Sequence, residues 1–101
     1  MTKAIFNQLT DLLADLIQQH RSECVSLYKE HKETMHDINN AEKNRKKLIE
    51  RGDNCPADDL IGTIADLRKY LAFLSGRIQS LNKVIRAEQS VYENMKKGTR
   101  K

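Results

Sequence analysis

Tryptophan is absent from this 101-residue chain, proline occurs once and glycine four times. With so few residues that force a turn, long stretches carry no obligatory break. Only five aromatic residues are present: Phe6, Tyr28, Tyr70, Phe73 and Tyr92. There is also no run near the roughly 20 apolar residues that a bilayer crossing requires. The N-terminal stretch from Ile5 to Ile17 is broken by Asn7, Gln8, Asp11 and Asp15, so it reads as an amphipathic helix and not as a signal peptide. Two cysteines without a signal point to a reducing, cytoplasmic setting.

The motifs of catalysis are missing as well. There is no glycine-rich phosphate loop, no Gly-x-Ser-x-Gly and no Cys-x-x-Cys. The expectation is a non-enzyme, with no cofactor, no metal and no small-molecule substrate.

What the chain does have is charge and periodicity. Charged residues make up 32% and hydrophobic residues 39%, a balance that suits an elongated helical protein with much wetted surface. The formal net charge of +4 permits an acidic partner without demanding one, because 18 basic residues are interleaved with 14 acidic ones.

The second half carries the clearest pattern. Steps of four and three from Leu60 pick out Ile64, Leu67, Leu71, Leu74, Ile78, Leu81, Ile85, Glu88, Tyr92 and Met95. A 4-3 repeat sustained this long marks a coiled-coil seam. In the first half, Phe6, Leu9, Leu13, Leu16 and His20 keep the rhythm. A phase slip at Cys24 then leads to Leu27, His31, Met35, Ile38, Ala41, Arg45 and Leu48.

Between the halves, Arg51 to Pro56 is the one dense group of turn formers. The expected fold is therefore all-α, a single antiparallel two-helix coiled-coil hairpin. Helix 1 covers about 3–51, the turn 52–55, helix 2 about 56–97, and a basic tail 98–101. Pro56 is preset for the first helical position. Breaks at Asn39-Asn40 or Ser75-Gly76 are the alternative to continuous helices.

Several groups invite a functional reading. His20, Cys24 and His31 share one helical face, as a metal site requires, but isolated polar residues in a thin core explain them more simply. Antiparallel partners should sum to about 108 around a turn near residue 54, which sets Glu88 opposite His20. Such a pair fixes register; alternatively Glu88 reaches water at an open end. Lys43, Arg45, Lys46 and Lys47 close helix 1, while Lys96, Lys97, Arg100 and Lys101 close helix 2. Both groups suit phosphates, and both suit a helix C-terminus equally well. Arg51-Gly52-Asp53 resembles an integrin-binding tripeptide, a coincidence in a reduced chain. Cys24 and Cys55 lie too far apart on one arm to pair.

The two halves are also unequal. Residues 60–78 are far more apolar than the residues 30–48 they should face, so some of that surface is left over for a partner. Leu60, Ile61, Tyr70, Phe73 and Gly76 are the expected contact residues. The partner is another protein or a second copy completing a helical bundle. An adaptor, a chaperone or a modulator of a host enzyme encoded by a phage or accessory element fits this description. The alternative is a small basic hairpin that binds nucleic acid.

Overall fold

The chain reverses direction in three residues, Arg51 to Asp53, and the chemistry of that turn sets both helices. Helix α1 runs Lys3–Glu50 and helix α2 runs Asn54–Thr99. At the end of α1 the Gly52 N–H donates to the Ile49 carbonyl at 3.0 Å, and the Asp53 N–H donates to the Leu48 carbonyl at 2.9 Å. This pair of bonds closes a helix when the residue past its end turns left-handed. Gly52 does so at φ 81, the one positive φ among the described residues. The Asp53 carbonyl meanwhile accepts from the Ala57 N–H at 3.3 Å, the first bond of α2. One residue thus ends one helix and starts the next. Pro56 falls within the first turn of α2, where an N–H has no intrahelical partner and its absence costs nothing. At the far end Thr2 caps α1, its hydroxyl accepting from the Ile5 N–H at 3.3 Å.

This computed structural model describes residues 2–99. The two helices pack antiparallel against each other as an all-α hairpin. Both are continuous: neither Asn39-Asn40 nor Ser75-Gly76 interrupts the helix. Helix α2 starts at Asn54, two residues before the expected Pro56. It also runs through Gly98 to Thr99, where the sequence suggested a stop after 97. No helix among the described residues is long and apolar enough to cross a membrane.

The contacts divide the chain into two units. One spans Leu27–Arg77 and contains the turn. Its buried residues are Thr34, Ile38 and Ala41 from α1 and Ala57, Ile64 and Leu74 from α2. Leu74 is 1% exposed, the largest fully buried side chain. The other unit joins Met1–Ser26 to Ile78–Lys101, with Ile17, Cys24, Ile78 and Ile85 buried.

Every seam position expected on α2 is buried or half-buried. On α1 the seam differs from the expectation. It passes through Phe6, Thr10, Leu13, Ile17, His20, Cys24, Leu27, His31, Thr34, Ile38, Ala41, Arg45 and Leu48, all buried or half-buried. That is an unbroken 4-3 repeat, and the phase slip at Cys24 does not exist. Leu9, Leu16 and Met35, assigned to the seam by their hydrophobicity, stand outside it at 41%, 41% and 47% exposure. The threonines can take seam positions because each satisfies its hydroxyl within its own helix. Thr10 donates to the Phe6 carbonyl and Thr34 to the Glu30 carbonyl, both at 2.8 Å.

Candidate functional site

Helix α2 presents the aromatic pair Tyr70 and Phe73 one residue before the seam positions Leu71 and Leu74. A step of one residue turns the helix by about 100° and takes both rings off the seam. Phe73 is 59% exposed and Tyr70 is 40% exposed. Their rings stack with centroids 6.2 Å apart and planes 20° from parallel. Glu30 on α1 accepts a hydrogen bond from the Tyr70 hydroxyl and so anchors the pair. That bond favours the neutral phenol; together with desolvation and the negative charge of Glu30 it raises the Tyr70 pKa above its ordinary 10.0. Gly76, three residues beyond Phe73, is exposed, and a Cβ built there would meet nothing within 4 Å.

The other expected contact residues are placed differently. Leu60 is half-buried on the seam. Ile61 is 49% exposed and lies one residue after the seam, on the opposite flank of α2 from Tyr70. It lines an open groove of about 510 Å³ together with Glu42, Arg45, Ile64, Ala65 and Arg68. Arg68 and Glu42 form an ion pair across that groove. The five residues therefore divide between two flanks and the seam, and Tyr70, Phe73 and Gly76 are the three that adjoin.

His20, Cys24 and His31 each engage a separate partner. His20 Nδ1 lies 2.6 Å from Glu88 Oε1. The two side chains are 24% and 13% exposed, which places Glu88 inside the seam and not out in water. The Cys24 thiol donates to Asn82 Oδ1 at 3.3 Å, and His31 Nε2 lies 3.1 Å from Ser75 Oγ. Asn82 and Ser75 are the polar partners that sequence reading missed; each sits one residue past a seam leucine. Among the described residues no three His, Cys, Asp or Glu side chains gather closely enough to hold a metal ion. Cys24 and Cys55 are both free thiols, the first buried and the second exposed.

In the first basic cluster, Lys43, Lys46 and Lys47 are exposed. Arg45 is half-buried on the seam, and its buried Nε has no hydrogen-bond partner. In the second, Lys96 and Lys97 are exposed, with the Lys96 ammonium 4.9 Å over the Tyr92 ring. Arg100 and Lys101 lie outside the described residues. No protein-family model matches this chain, and neither a curated protein nor a solved structure is significantly similar to it.

Proposed function

We propose that the chain is a non-catalytic protein-binding module, of the adaptor, chaperone or modulator kind, that docks its partner on α2 around Phe73. The observation that carries this reading is the pairing of exposure with order at that point. A ring 59% exposed is costly to leave in water, yet it is held by stacking on Tyr70, which is itself anchored by Glu30. An aromatic fixed before binding loses little entropy on docking, which is why such rings dominate interface energetics. The open space at Gly76 admits a close approach by the partner.

Affinity capture from the native cell, with wild type and Phe73→Ala compared at low and high salt, tests the proposal. Docking around Phe73 predicts a bound protein that is retained in salt and lost with the ring. Capture that ignores the ring and falls steeply with salt would instead favour phosphate contacts through Lys43, Lys46, Lys47, Lys96 and Lys97.

A further inference from the structure

Arg45 is a cation at a seam position. Its neighbours in the α1 repeat are Ala41 and Leu48, and Ile64 of the α2 seam lies beside it. Its buried Nε has no hydrogen-bond partner, and among the described residues no carboxylate pairs with it. A buried N–H without an acceptor is costly, and more so on a charged group than on a neutral one. Leucine or isoleucine would fill the same seam position without that cost.

The Arg45 side chain lines the open groove of about 510 Å³ on the flank of α2 away from Phe73. All six residues lining the groove belong to one unit, Leu27–Arg77. Three of them are charged: Arg45, Arg68 and Glu42. Glu42 is already engaged by Arg68, so the charge left uncompensated is that of Arg45. Just outside the groove Lys46 and Asp58, both exposed one step after the seam, offset each other. The rest of the lining is aliphatic: Ile61, Ile64 and Ala65.

We propose that this groove binds a carboxylate carried on an aliphatic body, with the carboxylate on Arg45 and the body against Ile61, Ile64 and Ala65. One uncompensated positive charge matches a monoanion, and the planar guanidinium fork matches the two oxygens of a carboxylate. A nucleic-acid phosphate would bring a base with it, and the groove has no aromatic ring for a base to stack on. The volume falls within the ~300–1,000 Å³ of small-ligand sites. Two sources supply this chemistry: a free aliphatic acid, and a glutamate flanked by leucines in a protein segment. The site is separate from Phe73 and does not rest on docking there.

Nuclear magnetic resonance titration of the isotopically labelled chain with sodium octanoate, up to about 10 mM, tests the proposal. Sodium acetate and sodium phosphate at the same ionic strength are the controls. Octanoate should shift the amides of residues 42–45 and 61–68 saturably, and bind at least ~10-fold tighter than either control. Arg45→Met should weaken octanoate at least ~10-fold. It should also raise the melting temperature of the free chain, because an apolar side chain replaces an uncompensated, part-buried cation. Ile61→Glu, at a residue 49% exposed, should weaken octanoate by like charge and leave melting unchanged. The acetylated and amidated peptide Leu-Glu-Leu separates the two sources. Binding tighter than octanoate assigns the site to a protein segment, and weaker binding assigns it to a free acid. The proposal is overturned if neither octanoate nor the peptide binds within the range, or if octanoate binding is indifferent to Arg45→Met. Acetate or phosphate binding as tightly as octanoate overturns it too. Phe73→Ala should leave octanoate binding unchanged, so this site and docking around Phe73 stand or fall separately.

Discussion

Phe73 and Leu74 are neighbours in sequence with opposite expected responses to truncation. Leu74 is 1% exposed on the seam, between Leu71 and Ile78 in the repeat. Leu74→Ala removes buried methyl groups and leaves a cavity that two helices alone cannot easily close. The expected cost is about 3 kcal/mol, within the ~2–5 kcal/mol typical of such truncations. For a chain of this size that lowers the melting temperature by roughly 12–24 °C. Phe73 has only two-fifths of its surface covered. A fully buried aromatic covers ~200 Å², so about 80 Å² is at stake, or ~2 kcal/mol at 25 cal/mol per Å² as an upper bound. Part of that cover comes from its own helix, including Tyr70, and persists without tertiary packing. Alanine also returns ~0.5 kcal/mol of helix propensity. Phe73→Ala should therefore cost less than ~1 kcal/mol. Circular dichroism melts and urea titrations of both variants at one protein concentration provide the comparison. A Phe73→Ala variant that melts at or below Leu74→Ala would place Phe73 in the core and refute the seam as drawn here.

The glycines should separate by backbone angle: Gly62→Ala and Gly76→Ala, where a Cβ meets nothing within 4 Å, should each stabilise the isolated chain by up to ~1 kcal/mol in urea titration. Gly52→Ala, at φ 81, should instead destabilise by ~1–2 kcal/mol in the same assay. Tyr70 should titrate above the ordinary tyrosine value of 10.0 in ultraviolet absorbance, and Glu30→Gln should bring it back toward that value. Because its folded pKa is raised, the stability this bond contributes is fully present below the ordinary value of 10.0. It is lost as pH rises through the folded value, so alkali and not acid should release Tyr70. Replacing Lys96 and Lys97 with Ser should leave helicity unchanged by circular dichroism, since both are exposed in the last turn of α2.

The fold was legible because α2 is apolar at every seam position but Glu88, and because Gly52 and Asp53 stand where the direction reverses. The sum rule that sets His20 opposite Glu88 follows from the turn position alone, and the two meet at 2.6 Å. The α1 seam was misread for a specific reason. Hydrophobicity ranks Leu9 above Thr10 and Met35 above Thr34, whereas a threonine bonded to its own helix enters a seam at little cost. Keeping the period strict and letting the residue type vary would have recovered the seam. The aromatic site was legible in part. Phe73 is separated from the seam by its position, but the anchoring of Tyr70 by Glu30 joins residues 40 apart and has no local signal.

The short turn also bears on how the chain folds. Partners across the seam lie 26 residues apart at Glu42 and Arg68, 44 at His31 and Ser75, 58 at Cys24 and Asn82, and 68 at His20 and Glu88. Closing the widest of these loops directly costs ~0.9 kcal/mol more chain entropy than closing the narrowest. Once Glu42 and Arg68 are joined, however, each later pair closes only about 4–11 additional residues on either helix. The pairings nearest Gly52 are therefore expected to form first, with the rest following in order of separation, like a zip drawn away from its stop. The protein should fold faster than its widest contact suggests. Slowing it would take a lesion beside the turn, while one at His20 or Glu88 would mainly hasten unfolding.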